Sequence, residues 1–382
     1  MHKSYVHILR SRHLSKNEYA FLQPIRFNRK KLASLGICVR SFSSISSKLF
    51  DCSILIVTSK FARENNWWNQ KNKMFQFFAR AKSEADHVIW ADLGDSTGAT
   101  HFEVLPYVDR YFKGAILKNK ELYLQFQYGS RFFTHYYHEK YGIEDSNAGE
   151  PHLNYLPKRE SLEKIHVSWN QAFCNYTHLG FYYDHMKRNC GWMPELRISK
   201  FTPPSQLRTL PFSCRISSAY GRNTVAFQRS RVLEKLQLEI PTIPVNRRTF
   251  FAELKNSLVV ISPFGWGEIC YRDFEAMMAG AALMKPNCEH LVTWPNFYQK
   301  DHTYISFDWD LSDFGEKIEF AREHPEKLLE ISTEAQKIYR FYFASQHGKE
   351  DFCRRVADLL SFQTGAPKPV NSINKPPLMV PS

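Results

Sequence analysis

The sequence predicts an α/β protein made of two consecutive parallel-sheet domains. Strand-like and helix-like segments alternate through the N-terminal part, and the same alternation restarts after residue 200. Such alternation is typical of a parallel sheet covered by helices. Segment 199–212, "SKFTPPSQLRTLPF", separates the two arrays, and its three prolines interrupt any helix. We therefore expect two facing Rossmann-like domains, over residues 1–200 and 201–362, with C-terminal helices and a loose tail over 363–382.

The first array contains four stretches rich in apolar and β-branched residues, which predict strands. They are "VHILRS", "ICVRSF", "DCSILIVTSK" and "DHVIWADLGDSTG". Helices are predicted for "RKKLASLG", where Gly36 ends the helix, and for the amphipathic "KMFQFFARAKSEA". Residues 110–200 are rich in Tyr, His and Phe and are interrupted by Gly and Pro, so they give no clear pattern of elements.

The second array starts with the strand "FSCRISS" and the turn "AYGR". Further strands are predicted for "LVVISP", "AALMKP" and "TYISF". Helices are predicted for "NTVAFQRSRVLEKLQ", "NRRTFFAELKNS", "GEICYRDFEAMMAG", "SDFGEKIEFAREH", "PEKLLEISTEAQKIYRFYFA" and "KEDFCRRVADLLS". Caps of Asp or Ser and a proline in a first turn support several of these helix starts.

Charge and cysteine usage narrow the class of protein. The net charge is +13, and residues 1–48 hold ten Lys/Arg but only one acid, Glu18. This basic segment predicts contact with an anionic membrane surface or an acidic acceptor, or else is simply solvated. Charge confined to one end argues against a nucleic-acid-binding protein. The cysteines are scattered and form no C-x-x-C pair, and the sequence has no long apolar run and no secretory signal. These features predict a cytoplasmic protein. A protein that is peripheral at a membrane is the alternative.

The most informative stretch is 259–286, "VVISPFGWGEICYRDFEAMMAGAALMKP". If a helix starts at Gly267, Glu268, Arg272 and Glu275 fall within roughly 60° of one another, opposite an apolar face. Gly265 and Gly267 would let a phosphate or sugar approach the backbone, and a helix N-terminus favours phosphate. The two glycines and the three charged residues are therefore candidate contacts of a nucleoside diphosphate donor. The alternative is an exposed helix stabilised by Glu–Arg pairs. Asp273 projects toward the apolar face and has no assigned role.

The segment "SPFGWGEICYRDFEAMMAGAALMKP" resembles the C-terminal nucleotide-binding domain of GT-B glycosyltransferases, most closely the group-1-type branch with spore-maturation glycosyltransferase-like proteins. Fucosyltransferases and exostosins show a looser likeness. The segment "HPEKLLEISTEAQKIYRFYF" resembles the closing helical segment of the same families. The resemblance covers about residues 213–345. It implies the GT-B fold and transfer of a sugar from a nucleotide-sugar donor, in glycan biosynthesis, without a bound metal or another cofactor.

The resemblance implies roles for the residues that match the family motif. Glu275 matches the glutamate that binds the donor ribose, and Arg272 matches the arginine near the diphosphate. Retaining relatives carry two glutamates separated by seven residues. Here Gly267 stands at the first of these positions and Glu268 lies one residue away, which argues against the retaining pattern.

Two further groups are candidate donor contacts. In "SSAYGRNTVAFQR", Gly221 precedes a helix and Arg222 is placed to reach a diphosphate, whereas Arg229 reads as a structural or surface charge. Lys285 ends a strand close to the donor helix, although a solvated strand-end lysine is the alternative.

An inverting transfer needs a base that deprotonates the acceptor hydroxyl. In the GT-B arrangement that base usually comes from the N-terminal domain, and "WADLGDSTGATHFEVLPYVD" is the best source. Asp92 and Asp95 follow an apolar strand, and Asp95 is the stronger candidate. Glu103 is the second catalytic candidate, beside His101. Ordinary turn and capping chemistry is the alternative for this segment.

Other polar clusters are assigned no catalytic role. The histidines of "THYYHEKYG" and "HLGFYYDHMKRN" lack the partners of a metal site and predict aromatic packing instead. "DWD" at Asp308–Asp310 predicts helix capping rather than a metal-binding D-x-D.

The predicted function is therefore transfer of a sugar from a nucleotide sugar to a carbohydrate or other hydroxyl acceptor. A non-catalytic nucleotide- or glycan-binding protein on the same scaffold is the alternative, because a fold does not fix a function.

Overall fold

A computed structural model describes residues 3–145, 154–176, 180, 186, 201–236, 240 and 242–362. It contains two separate parallel sheets, each with helices against it, and a short antiparallel ribbon. The predicted α/β class, with two Rossmann-like halves and C-terminal helices, is confirmed. The predicted boundary near residue 200 stays a prediction, because residues 187–200 lie outside the described residues.

The first half is built on a six-stranded sheet of order β2-β1-β3-β4-β5-β7, in which every pair of neighbours is parallel. Its strands are β1 (Ser4–Leu9), β2 (Ile37–Phe42), β3 (Ile54–Thr58), β4 (His87–Asp92), β5 (Arg110–Lys113) and β7 (Ile165–Val167). Its helices are α1 (Lys16–Phe27), α2 (Arg29–Ser34), α3 (Ser59–Glu64), α4 (Lys71–Glu84) and α5 (Phe132–Tyr141). The central strand β3 is buried along its whole length, as expected for a strand covered on both faces.

The second half is built on a four-stranded parallel sheet of order β12-β10-β9-β8. Its strands are β8 (Leu210–Ser213), β9 (Ser257–Ile261), β10 (Ala282–Pro286) and β12 (Ile305–Phe307). Its helices are α6 (Asn223–Leu236), α7 (Arg247–Asn256), α8 (Tyr271–Ala279), α9 (Phe314–Glu323) and α10 (Pro325–Ala344). The helix α8 ends at Gly280, whose φ of 71° is the left-handed conformation that glycine adopts most easily.

The last helix, α11 (Gln346–Leu360), returns to the first half of the molecule. Its apolar residues Phe352, Val356 and Leu359 are buried against Val6 and Ile8 of β1. Thus a segment from the end of the sequence completes the hydrophobic core of the N-terminal sheet.

A strand ribbon and a buried apolar cluster are among the features that join the halves. The strands β6 (Ala115–Leu117) and β11 (Leu291–Thr293) pair as an antiparallel ribbon, with one strand from each half. One hydrophobic cluster also contains residues of both halves, among them Tyr19 and Phe133 from the first and Phe274 from the second. The halves are therefore in contact through buried apolar surface, which favours their association.

Two sequence-based expectations need correction. The helix predicted to start at Gly267 begins instead at Tyr271, because Cys270 adopts an extended conformation and caps it together with Asp273. Glu268 therefore lies in the preceding turn and does not share a helical face with Arg272 and Glu275.

The described part of the basic segment, residues 3–48, contains β1, α1, α2 and β2, with exposed cations on α2 and at the edge strand β2. The contact with an anionic surface stays a prediction. In the described part of the chain, no helix has both the length and the apolar character needed to cross a membrane.

Candidate functional site

The candidate site lies where the carboxyl ends of the two sheets meet. The loop after β4 reaches the glycine turn after β9, and the approach is close. A Cβ built on Gly267 would lie 1.8 Å from the backbone oxygen of Asp95. Only a residue without a side chain fits there, so Gly267 serves the contact between the halves in this structure.

Glu268 binds the loop of the opposite half. Its carboxylate accepts hydrogen bonds from the Thr97 backbone N–H at 3.1 Å and the Thr97 hydroxyl at 2.6 Å. The Ser96 hydroxyl donates at 3.3 Å, and His290 Nε2 lies 3.6 Å away. Burial alone would raise the pKa of Glu268, but His290 and Thr97 lower it to about 2. The charged form of Glu268 therefore holds the two halves together.

Arg272 and Glu275 lie on α8 and face toward the end of β8 and the start of α7. Glu275 is only 7% exposed, and Arg247 Nη1 lies 3.3 Å from its Oε1. Arg272 Nη2 donates to the Arg215 carbonyl at 2.6 Å, while its Nε is buried without a hydrogen bond in the described structure. A carboxylate and a guanidinium with remaining hydrogen-bonding capacity thus lie one turn apart beside the second sheet.

Lys285 lies in the core, where a donor could not reach it. Its ammonium is wholly buried, 3.2 Å from the equally buried Asp273 carboxylate. Ser262 and Tyr298 donate to the same carboxylate at 2.6 and 2.8 Å. Burial alone would lower the pKa of Lys285, but Asp273 raises it above its ordinary value. Asp273, which had no role from the sequence, is the centre of this buried network.

Arg222 and Gly265 lie near a further guanidinium that the sequence did not indicate. Arg222 Nη1 donates to the Gly129 carbonyl at 3.1 Å, and Arg131 Nη1 donates to the same oxygen at 2.9 Å. Arg131 also donates through Nε to the Trp266 carbonyl at 2.7 Å. A Cβ on Gly265 would lie 3.2 Å from Arg229 Nη2, so several cations surround the glycine turn.

Asp95 is exposed and held in place by a chain of hydrogen bonds from both halves. Asn17 Nδ2 donates to Asp95 Oδ1 at 2.5 Å, and the Tyr271 hydroxyl donates to Asn17 Oδ1. Lys16 Nζ lies 4.0 Å from the centre of the Tyr271 ring. An exposed, oriented carboxylate therefore stands at the junction opposite α8.

The other candidates of the first half, Asp92 and Glu103, form ion pairs with residues of the same half. Asp92 is buried against Lys113 at 3.0 Å and accepts from the Tyr111 hydroxyl at 2.6 Å. Burial alone would raise its pKa, but Lys113 and further partners lower it. Glu103 lies 3.6 Å from His101, whose ring stacks on Trp68. The structure thus brings Asp95 to the junction, but pairs Glu103 with His101 inside the first half.

The other polar clusters within the described residues have partners of their own. His138 stacks on Tyr128, and Asp310 forms an ion pair with Lys140 at 2.5 Å. Within the described residues there is no group of three side chains that could hold a metal ion. His178, Asp184 and His185 lie outside the described residues.

Sequence reasoning missed Lys16, Asn17, Arg131, Arg247 and Tyr271. One signal was available, since "SKNE" has the S-x-x-E spacing of a helix start. The structure begins α1 at this point, and the Ser15 side chain accepts from the Glu18 N–H. Arg131 lies in the segment 110–200, where the sequence gave no clear pattern.

Comparison with known proteins finds no matching family model and no matching curated protein. Similar solved structures include HepE from Anabaena in complex with UDP-glucose, at 10% identity and a TM-score of 0.44, covering 94% of this chain and 100% of that one. A glycosyltransferase from Rickettsia africae matches at 9% identity with a TM-score of 0.44, and the match covers 94% of this chain and 98% of that one. Sucrose-phosphate synthase from Thermosynechococcus elongatus matches at 10% identity with a TM-score of 0.41, and the match also covers 94% of this chain and 98% of that one.

Proposed function

We propose that this protein is a glycosyltransferase that moves a sugar from a nucleotide-sugar donor to a hydroxyl group of a carbohydrate or another acceptor. The observation that carries the proposal is the placement of Arg272 and Glu275, which match the family motif, on α8 beside the junction of two Rossmann-like halves. In open α/β sheets, ligands bind beyond the carboxyl ends of the strands.

The donor would bind mainly to the second half. A carboxylate such as Glu275 accepts hydrogen bonds from ribose hydroxyls, and guanidinium groups bind a diphosphate through paired charge-assisted hydrogen bonds. We assign the diphosphate to Arg272 and Arg222 and add Arg131, which comes from the opposite half. Gly265 leaves room beside these cations. Glu268 and Lys285 are withdrawn as direct donor contacts, because Glu268 is bound to the loop of the opposite half and Lys285 is wholly buried against Asp273. Gly267 is withdrawn as well, because it packs against the Asp95 backbone.

The acceptor would be activated from the first half. If the transfer proceeds with inversion, Asp95 accepts the proton of the acceptor hydroxyl. The oxygen of that hydroxyl then bonds to the anomeric carbon of the donor sugar. The bond from that carbon to the diphosphate breaks, and the cations stabilise the departing diphosphate. Asn17 orients the Asp95 carboxylate. Glu103 is the weaker candidate, since its described ion pair is with His101.

The proposal is tested by nucleotide binding and turnover. Glu275→Ala and Arg272→Ala should each weaken binding of UDP or GDP by about tenfold, as expected for the loss of a hydrogen bond to a charged group. Isothermal titration calorimetry measures this affinity, and circular dichroism checks that the variants remain folded. Unchanged affinity in both variants would contradict the assignment of Glu275 and Arg272 to the donor site.

Turnover separates an enzyme from a binding protein. A panel of nucleotide sugars incubated with the protein should include one that releases its nucleotide diphosphate. Asp95→Asn should slow this release while leaving the affinity for the nucleotide nearly unchanged. Nucleotide binding without any release, across the panel and with added acceptors, would favour the non-catalytic alternative.

A further inference from the structure

A cavity lies between the two halves at the carboxyl edge of the second sheet. Its walls come from α5 of the first half and from the loops that follow β10 and β12. These two strands are parallel neighbours, so their carboxyl ends open at the same edge, where ligands of open α/β proteins bind. The cavity has a volume of about 350 Å³, within the range of roughly 300–1,000 Å³ that small-molecule sites occupy.

Two aromatic rings form the apolar part of this cavity. The ring centroids of Tyr136 and Trp309 lie 5.3 Å apart, with an angle of 85° between the ring planes. The indole N–H of Trp309 donates to the Asn287 carbonyl at 2.8 Å, which fixes the indole in the cavity wall. Tyr136 and Trp309 are both half-buried, so part of each ring stays open to a ligand. Rings held in this way offer a surface on which the C–H groups of a sugar can pack.

Carboxylates form the polar part of the cavity. Glu289, Asp308 and Asp310 line it, and among the described residues of its lining there is neither Lys nor Arg. An ionised carboxylate only accepts hydrogen bonds, and it can accept several. Lys140 and Ser312 lower the pKa of Asp310 to about 2, so this carboxylate is ionised near neutral pH. The cavity therefore suits a ligand that donates hydrogen bonds and does not suit a phosphate.

Nearby lysines already balance part of the negative charge. Lys140 Nζ lies 2.5 Å from Asp310, and Lys300 Nζ lies 3.9 Å from Glu289. Asp308 is exposed and forms no ion pair among the described residues, so its carboxylate retains capacity to accept hydrogen bonds. A cationic ligand would compete with the two lysines for the carboxylates. A neutral ligand rich in hydroxyl groups would not, and is therefore favoured.

The cavity is joined to the loop that carries the candidate base. His290 lines the cavity, and its Nε2 lies 3.6 Å from Glu268. Glu268 in turn binds Ser96 and Thr97, which directly follow Asp95 in the chain. The candidate donor residues of α8 face the end of β8 instead, which is the opposite edge strand of the same sheet. The cavity is therefore separate from the proposed donor contacts.

We propose that this cavity binds a neutral sugar ring and that the ring belongs to the carbohydrate acceptor of the transfer. This inference rests on the proposed function and deepens it, because it names the class of acceptor and the place where it binds. The C–H groups of the sugar would pack on Trp309 and Tyr136, while its hydroxyls would donate to Asp308 and Asp310. The sugar of the donor is the other source of such a ring, and the experiment distinguishes the two.

The experiment uses two variants of the cavity, each with a matched control. Asp308→Ala is compared with Asp86→Ala, because both aspartates are exposed but Asp86 lies outside the cavity. Trp309→Phe keeps an aromatic ring in place and is compared with Trp68→Phe. Trp68 is likewise half-buried and packs edge-on to Trp90 in the first half. Circular dichroism checks that the four variants are folded.

Saturation-transfer NMR with a panel of neutral methyl hexosides should detect binding of at least one of them to the wild type. Asp308→Ala should raise the Kd of that hexoside by about tenfold, as expected for the loss of hydrogen bonds to a charged group. Trp309→Phe should raise it by about fivefold, because the ring surface is smaller. Both controls should match the wild type. Binding of none of the hexosides, tighter binding of glucosamine or glucose 6-phosphate, or equal losses in the controls would overturn the inference.

Nucleotide titrations of the same variants identify the source of the ring. Unchanged Kd values of Asp308→Ala for UDP, GDP and their sugar conjugates would assign the ring to the acceptor. Weaker binding of a nucleotide sugar, with the free nucleotide unaffected, would place the donor sugar in the cavity and overturn the assignment.

These titrations also separate the inference from the proposed function. If hexoside binding depends on Asp308 but no nucleotide binds to any variant, the proposed function fails and the sugar site stands. If a nucleotide sugar is turned over while Asp308→Ala leaves the hexoside Kd unchanged, the proposed function stands and the inference fails.

Discussion

At the scale of single residues, the buried pair Asp273–Lys285 shows how a charge can be placed in the core. Both side chains are wholly buried, and Ser262 and Tyr298 supply further hydrogen bonds to the carboxylate. A buried ion pair contributes little net stability, but removal of one partner leaves an uncompensated charge.

Asp273→Ala should therefore lower the free energy of unfolding by about 3–5 kcal/mol, because Lys285 would remain charged and buried. The double variant Asp273→Ala/Lys285→Met removes both charges and should recover much of this loss. Urea unfolding followed by fluorescence measures both values. An equal loss in the single and the double variant would contradict the role assigned to the pair.

Glu268 gives a dependence on pH whose direction follows from its lowered pKa. In the folded protein this pKa is about 2, below the ordinary value of 4.5. The stabilisation from ionised Glu268 is therefore present above about pH 4.5 and is lost as the pH falls toward 2. The shift corresponds to about 3 kcal/mol.

Glu268→Gln should accordingly reduce the loss of stability on acidification. Between pH 5 and pH 3, the unfolding free energy of the wild type should fall more steeply than that of the variant. Guanidinium unfolding at several pH values measures this difference. The same slope in both proteins would show that Glu268 does not titrate in this range.

At the scale of elements, the close approach of two loops depends on one glycine. A Cβ on Gly267 would overlap the Asp95 carbonyl at 1.8 Å, and this neighbour is backbone that cannot turn aside. Gly315 in α9 offers a matched control, since a Cβ there meets nothing within 4 Å.

Gly267→Ala should destabilise the protein by about 1–3 kcal/mol, the usual cost of overpacking. Gly315→Ala, in the first turn of α9, should instead be neutral or stabilise it by up to about 0.5 kcal/mol, because alanine loses less backbone entropy than glycine in a helix. Thermal unfolding compares the two variants, and nucleotide titration shows whether Gly267→Ala also disturbs the site. A neutral Gly267→Ala would contradict the loop contact.

The sequence predicted most strands and helices of both halves because their apolar patterns are strong and local. It missed α1, α3 and α5, and both α1 and α5 bury residues in the cluster that the two halves share. It also placed the start of α8 four residues too early, since the extended conformation of Cys270 depends on the Asp273 cap. Within the site, motif spacing located Arg272 and Glu275, but the burial of Lys285 and Glu268 depends on distant partners.

At the scale of the whole molecule, the C-terminal helix α11 packs against the N-terminal sheet and not against the sheet of the second half. Phe352 of α11 is buried with β1, whereas Phe314 of α9 is buried in the core of the second half. The two phenylalanines therefore report on different halves even though both lie in the C-terminal part of the sequence.

Phe352→Ala and Phe314→Ala should each cost about 3–5 kcal/mol, but they should weaken different sheets. Hydrogen exchange should show faster exchange of β1 and β3 in Phe352→Ala, and of β9 and β12 in Phe314→Ala. Loss of protection in β9 with β1 unaffected, in Phe352→Ala, would contradict the packing of α11.

The ribbon of β6 and β11 also fixes how the two halves are placed relative to one another. Its register joins Leu291 to Leu117 and Thr293 to Ala115 across the two halves. Sliding by one residue would turn the side chains of a strand to the opposite face, so translation along the ribbon is blocked. The ribbon and the Asp95–Gly267 contact therefore fix the position of the halves at two separate places, one through backbone pairing and the other through the absence of a side chain.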